Sequence, residues 1–171
     1  MANTDNIKIG SCKVLYKGVD LGHTKGGVTL NHAPELVKLS ADQWGETPVD
    51  FALNGEEWTA KIRLTEWQLA TLRQVFPMSD EAGANDGRVT MGRNAGFRLS
   101  SQAGALVLHP LANEAQDASE DVVFFKAVPM GEVQVDFTNE DQRVYEVTFV
   151  ALVDTTKADG SWLGHIGDST D

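Results

Sequence analysis

The sequence predicts a mainly β protein, an antiparallel β-sandwich or barrel with one flanking α-helix over about residues 65–76. Several runs alternate apolar and polar residues between turn residues, which is typical of half-buried strands. Only one run repeats its apolar residues at helical spacing. Many short strands with one helix favour a sheet that closes or packs on itself. Before the helix, the predicted strands are 13–16, 28–32, 36–40, 49–53 and 58–64.

A hairpin is predicted just before the helix. Residues 49–53 alternate apolar and polar and end at Asn54-Gly55, a strong signal for a two-residue turn. Residues 58–64 alternate again, with Trp58 and three further apolar residues on one side. We therefore predict that 58–64 returns antiparallel to 49–53.

The helix prediction rests on its start and stop signals. Thr65 and Gln68 have the spacing of a capping box, in which each side chain bonds the other residue's backbone amide. Leu64 and Leu69 flank them as a hydrophobic staple. Pro77 ends the run. The apolar residues at helical spacing are Leu69, Leu72, Val75 and Phe76.

The second half of the chain predicts further strands and a long hairpin. Residues 132–137 alternate cleanly, residues 138–141 read as a turn, and residues 143–153 form a long apolar run. Apolar runs at 104–109 and 122–128 complete the predicted sheet. Long exposed edges tend to pair with other chains, so these strands favour pairing between subunits.

Length and composition are those of one ordinary globular domain, here spanning 1–171. The N-terminal residues 1–10 are polar, and the tail after Asp154 is polar with few apolar anchors. The single cysteine excludes an internal disulfide. No apolar run reaches the ~20 residues of a membrane span, so we expect a cytosolic chain with no membrane partner.

The net charge of −11 argues against tight binding of DNA or RNA. It is uneven along the chain: −3 over 1–60, +2 over 61–112 and −10 over 113–171. An acidic face exposed to solvent is the simpler interpretation. The alternative is a protein with one acidic and one basic surface, which could associate head to tail.

The search for a catalytic site is negative, so we expect no enzyme activity, no cofactor and no metal. The sequence has no nucleophile elbow, phosphate loop or zinc-protease motif, and its four histidines are scattered. A hydrolase using the paired acids near turns stays a minor alternative. Trp44 and Trp162 lie in polar loops, where they are candidates for a contact surface or a sugar platform.

Four stretches, 18–28, 41–50, 55–77 and 143–167, together resemble the major tail tube proteins of long-tailed bacteriophages. The last includes FVALVD (149–154) and ADGSW (158–162). The resemblance implies a tail-tube-like β-barrel whose copies form homohexameric rings. Stacked rings would make a hollow tube of the virion tail that is assembled in the host cytoplasm. It implies tail initiator, terminator and tape-measure proteins as further partners.

By the same resemblance, Asp42, Gln43 and Trp44 in the loop between residues 39 and 49 would contact a neighbouring subunit or ring. The resemblance also implies an N-terminal arm over about 1–12 and a C-terminal arm over about 154–171, which includes Trp162, and both arms would make inter-ring contacts. Genomic DNA would pass through the lumen without specific binding. Six copies would carry −66, and an acidic lumen repels phosphates. The candidate lumen-facing acids are Glu132, Asp136 and Glu146.

Besides the hydrolase, two alternatives remain open from the sequence. A related tail terminator, connector or type VI secretion tube subunit would share the ring-forming fold. A monomeric β-sandwich module would bind a carbohydrate or another ligand on Trp44 or Trp162. The number of rings formed, a requirement for a sheath partner, and sugar binding by a monomer distinguish these possibilities.

Overall fold

The structure, a computed structural model, describes residues 10–79, 87–135, 137 and 142–168. These residues form eight strands in one antiparallel sheet and a single α-helix. The elements are β1 (Cys12–Tyr16), β2 (Val19–Asp20), β3 (Thr24–Ser40), β4 (Pro48–Leu64), α1 (Leu69–Val75), β5 (Gly104–Pro110), β6 (Val122–Val135), β7 (Tyr145–Ala151) and β8 (Gly164–Ile166). The sheet order is β2-β1-β5-β6-β7-β4-β3, and β8 pairs with β6. The predicted class, mainly β with antiparallel strands and one flanking helix, is confirmed.

The sheet folds over on itself through the long strand β6. The first half of β6 pairs with β5 and β8, and its second half pairs with β7. In a flat sheet, β1 and β7 would lie about 14 Å apart, three strand spacings. Instead, the rings of Tyr16 on β1 and Phe149 on β7 are 4.9 Å apart. The hydroxyl of Tyr16 also donates to the carbonyl of Ala127 on β6, at 3.2 Å.

The core lies inside this fold and follows the alternation that the sequence predicts. Every second residue of 58–64 and of 145–151 points inward, so polar residues between them face solvent. Burying a large apolar side chain stabilises the fold by about 1.5–3 kcal/mol. The fully buried side chains contributed by β4 and β7 are Ala60, Ile62, Leu64, Tyr145, Val147 and Phe149.

The helix begins at Leu69, four residues later than the prediction of about 65–76, and the predicted capping box does not form. The hydroxyl and amide of Thr65 both donate to the carbonyl of His23, at 3.1 and 3.0 Å. Gln68 is extended and donates to the Glu66 carboxylate instead. Tertiary hydrogen bonds to the β2–β3 connection thus replace the local cap. The predicted inward residues Leu72 and Val75 are buried.

The predicted turn at Asn54-Gly55 is wrong, because β4 runs through it. The partner strand β3 is equally long, and pairing continues on both sides: Glu35 faces Gly55, and Leu36 faces Leu53. Asn54 is therefore the extra residue of a β-bulge. Each of β3 and β4 unites two strands that the sequence predicts as separate. The chain reverses at 41–47 instead.

The short C-terminal strand β8 lies very close to β6. Gly164 pairs with Phe124, and the amide of Phe125 donates to the carbonyl of Leu163 at 3.0 Å. A Cβ at Gly164 would lie 2.1 Å from the carbonyl oxygen of Val123. Only glycine lets the two backbones approach this closely.

We expect Gly164→Ala to displace β8 and to destabilise the fold by about 1–3 kcal/mol, the usual cost of overpacking. Hydrogen exchange at the Phe125 amide should rise, because its acceptor is the carbonyl of Leu163. Gly87→Ala is the control, since a Cβ there meets nothing within 4 Å. Unchanged exchange at Phe125 would show that β8 tolerates the added methyl group.

Candidate functional site

A two-stranded ribbon projects from the edge of the sheet. Residues 33–57 of β3 and β4 pair only with each other among the described residues, because β7 pairs with β4 only from Thr59 to Leu64. The pairs run from Ala33 with Glu57 to Ser40 with Pro48. Eight residues of strand span about 26 Å. We call residues 33–57 the ribbon; it extends well beyond the core.

Both faces of the ribbon carry exposed apolar side chains. On one face, Leu36 pairs with Leu53, and Lys38 pairs with Phe51. Phe51 is 55% exposed and Leu53 is 59% exposed. The opposite face carries further exposed apolar residues, Val37 and Leu39. A contiguous exposed apolar surface of this kind is typical of a protein–protein contact rather than of a free surface.

The tip of the ribbon brings together three of the predicted contact residues. Asp42, Gln43 and Trp44 form a short 3₁₀-helix, and all three are exposed. Trp44 is 63% exposed. On one flank, the Lys38 ammonium binds the carbonyl of Glu46 and lies 3.6 Å from its carboxylate. The tip therefore presents an aromatic side chain on an ordered turn.

Trp162, the fourth predicted contact residue, lies at the ribbon's base and apart from Trp44. It is half-buried against the core. Its carbonyl accepts the amide of Asp154 at 3.0 Å. Two adjoining cavities of about 330 and 450 Å³ share Trp162 in their walls. The other residues lining the smaller cavity include His32, Glu56, Trp58 and Ile166.

The predicted arms are described only in part. Residues 1–9 of the predicted N-terminal arm lie outside the described residues, so the structure describes only residues 10–12 of that arm. Within the C-terminal arm, the described residues 154–168 turn back and add β8 to the sheet. A hydrogen bond from Thr156 lowers the pKa of the Asp154 carboxyl and orders the turn that begins this segment. Inter-ring contacts by the arms stay a prediction.

The predicted lumen acids occupy different environments. Glu132 is exposed near the end of β6, in the irregular stretch between Met130 and Gln134. Asp136 lies outside the described residues. Glu146 binds two cations, with its carboxylate 2.6 Å from Lys61 Nζ and 2.9 Å from Arg63 Nε. The hydrogen bond from Lys61, followed by that from Arg63, lowers the pKa of the Glu146 carboxyl.

Among the described residues, Glu146 therefore shares its pocket with cations rather than with other acids. The pocket has a volume of about 480 Å³. Its lining includes, within the described ranges, three cationic side chains and one carboxylate. We define the basic pocket by its lining residues Lys25, Gly26, Lys61, Arg63, Gln134, Val144 and Glu146.

The sequence did not single out the exposed apolar residues of the ribbon or the cations of the basic pocket as candidate site residues. Phe51 and Leu53 have the alternation of a half-buried strand, and Leu36 lies in a short apolar run, so all three read as core. The signal that distinguishes them is that both faces of the ribbon are apolar. Lys61 and Arg63 read as the solvent face of a strand, which they are. Their pairing with Glu146 is visible only in the β4–β7 register.

We also looked for a metal site, a membrane-spanning helix and similarity to known proteins. The described residues contain no cluster of three or more potential metal ligands. The structure has, within its described ranges, no helix with the length and apolar character to cross a bilayer. No protein-family model matches the chain, and no curated protein is significantly similar to it. The ribbon and the charged surfaces are therefore the features that bear on function.

Proposed function

We propose that this chain is the subunit of a bacteriophage tail tube, in which homohexameric rings stack into a hollow conduit for genomic DNA. The observation that carries the proposal is the ribbon. A lone two-stranded ribbon is marginally stable in water, and its exposed apolar faces gain stability once a neighbour covers them. A second copy of the chain supplies such a neighbour. By the resemblance to tail tube proteins, the loop between residues 39 and 49 would make the same contact.

The edge of the sheet supports self-association as well. β3 is an edge strand of 17 residues, long enough to add to another sheet. Pro34 lies within β3, and proline is accepted in a sheet mainly at an edge. Long edges of this kind pair with other chains when they are not blocked. Ring closure through such edges would give the continuous inner barrel that the resemblance implies.

The proposal also includes the partners and the location of a tail tube subunit. Tail initiator, terminator and tape-measure proteins are the further partners, the virion tail is the site of action, and assembly occurs in the host cytoplasm. No catalytic step is required of the subunit. A tail terminator, a connector or a type VI tube subunit would share the ribbon contact, and would differ in the number of rings and in the need for a sheath.

Negative-stain electron microscopy with light scattering tests the proposal. We expect rings or stacked tubes with a central hole from the purified chain, and loss of these with Trp44→Ala. The fold of that variant should be unchanged, because Trp44 is exposed at the ribbon tip. Gln142→Ala, exposed near the β6–β7 connection, is a control at the opposite end of the sheet. Rings of Trp44→Ala indistinguishable from the unmodified rings would remove the tip from the contact.

The lumen hypothesis is tested best at Glu132. We expect tubes carrying Glu132→Lys to retain duplex DNA, because each ring of six gains twelve units of positive charge. Retention should fall as salt is raised. Asp159→Lys makes the same charge change on an exposed turn beyond β7. Normal DNA passage through Glu132→Lys tubes would show that this position does not face the lumen.

A second candidate function is favoured by the groove at Trp162. Trp58 and Trp162 with the His32–Glu56 pair, whose Nε2 and Oε2 are 2.9 Å apart, provide aromatic faces beside polar groups. This combination suits a sugar or another small ligand. A monomer that binds glycans, and loses this binding with Trp162→Ala, would favour the binding module over the tube.

A further inference from the structure

The bulge of the ribbon holds an asparagine followed directly by a glycine, a pair that occurs once in the chain. Asn54 has no opposite residue on β3, because Leu53 faces Leu36 and Gly55 faces Glu35. Asn54 is exposed, and the described residues give its side chain no hydrogen bond. The side-chain amide of Asn54 is therefore free to approach the backbone that follows it.

We propose that Asn54 is a site of spontaneous deamidation, in which Gly55 supplies the attacking nitrogen. The backbone nitrogen of Gly55 forms a bond to Cγ of Asn54, and the bond from Cγ to Nδ2 breaks. The amide proton of Gly55 leaves with Nδ2 as ammonia, and a cyclic succinimide remains. Water then opens the ring at either carbonyl, which gives aspartate or isoaspartate. Water is the one co-reactant, and nothing is oxidised or reduced. This modification goes beyond the proposed function and does not depend on it.

Gly55 leaves the attacking nitrogen open. A Cβ built on Gly55 would meet nothing within 4 Å, so the space beside this residue is empty. Any other residue would place its own Cβ next to the amide nitrogen and hinder the approach of the asparagine side chain. Glycine also has the widest choice of backbone angles, so it reaches the geometry of ring closure more readily.

The ribbon allows the segment around Asn54 to open locally. Ring closure requires the Gly55 amide to leave any hydrogen bond across the ribbon. A lone two-stranded ribbon is marginally stable, so its pairs open far more often than those of the core. From Thr59 to Leu64, by contrast, β4 is paired with β7 as well as with β3. The bulge therefore lies in the part of β4 that opens most easily.

Water reaches the reacting atoms through the larger of the two cavities at Trp162. Asn54 and Gly55 both line this cavity of about 450 Å³. Val153, in the same wall, is 51% exposed, so the cavity is open to solvent. Hydrolysis of the succinimide is therefore not blocked by packing. The product would place a new carboxylate beside the apolar side chains of Leu53 and Val153.

Peptide mass mapping of the folded chain tests the site. After incubation at mildly alkaline pH, cleavage at lysine and arginine releases residues 39–61, whose single asparagine is Asn54. Residues 26–38 are the control peptide from the same chain, because their single asparagine, Asn31, is exposed but is paired with Thr59. We expect the asparagine followed by glycine to become an acid at least about tenfold faster than the control asparagine.

The products and a matched variant identify the route. Gly55→Ala should fold as the unmodified chain does, because the added Cβ has space, and should slow the reaction at Asn54 about tenfold. Isoaspartate should form together with aspartate, since direct hydrolysis of the side chain gives aspartate alone. The rate should rise with pH, because the deprotonated amide nitrogen attacks. Equal rates at Asn54 and Asn31, or aspartate without isoaspartate, would overturn the proposal.

The outcomes also separate this site from the tube. Where neighbouring copies cover the ribbon, assembled chains should deamidate more slowly than free chains at the same pH. Equal rates in tubes and in free chains would remove this part of the ribbon from the contact and leave the deamidation site standing. Chains that never assemble test the site equally well, and slow reaction at Asn54 in them would overturn it alone.

Discussion

Chains carrying Phe51→Asp are expected to remain folded monomers under conditions in which the unmodified chain assembles. Phe51 lies on the ribbon face shared with Leu36 and Leu53, and it is largely exposed in the single chain. An aspartate buried there by a neighbour would lose its hydration without a partner. Aromatic residues at the centre of an interface often contribute 2 kcal/mol or more, so we expect at least about 30-fold weaker association.

Met91→Asp is the control for Phe51→Asp. Met91 is 56% exposed, but it lies in the irregular segment between α1 and β5, far along the chain from the ribbon. The same charge added to an isolated exposed apolar residue should leave assembly intact. Light scattering and electron microscopy measure both variants. Assembly of Phe51→Asp equal to that of Met91→Asp would show that this ribbon face stays in solvent.

Phe149→Ala is expected to have the largest effect on stability, a loss of about 3–5 kcal/mol. Phe149 is fully buried on the central strand β7, between Ala60 on β4 and Pro129 on β6. Its ring also contacts Tyr16 across the fold. Removing it leaves a cavity that the paired backbones on both sides prevent from collapsing. Urea denaturation followed by tryptophan fluorescence measures the change in the free energy of unfolding.

The same substitution on the ribbon provides the comparison. Phe51→Ala removes an identical side chain that is mostly exposed, so it should change the free energy of unfolding of the monomer by about 0.5 kcal/mol or less. It should weaken assembly instead. We thus expect one phenylalanine to determine stability and the other association. A loss for Phe51→Ala similar to that for Phe149→Ala would show that the ribbon packs on its own chain.

The alternation of apolar residues was sufficient to predict which side chains of β4 and β7 form the core. Ile62 and Val147 were predictable because a strand buried on one face must repeat its apolar residues every second position. The same rule failed on the ribbon, where alternation also occurs but no core covers it. Periodicity indicates a strand with an apolar face, and it does not distinguish a face that the core of the chain covers from one that stays exposed in the single chain.

Local signals failed where distant parts of the chain made better hydrogen bonds. Asn54-Gly55 favours a turn, yet the length of β3 keeps both residues within the paired ribbon. Thr65 and Gln68 favour a helix cap, yet the carbonyl of His23 takes the donors of Thr65. In both cases the competing partner lies at least 18 residues away, so no local window contains it. The local turn and cap signals therefore failed because hydrogen bonds to distant residues replaced the local ones.

For the candidate site too, some features follow from the sequence and others only from the tertiary structure. The sequence alone determined that the chain is mainly β, that 61–112 is mildly basic and 113–171 strongly acidic, and that Trp44 lies in a polar loop. Only the tertiary structure decided that Trp44 lies at the tip of a ribbon, and that Glu146 is neutralised by Lys61 and Arg63. Composition and periodicity belong to each segment by itself. The position of a charge relative to another depends on strand order and register, which the whole fold determines.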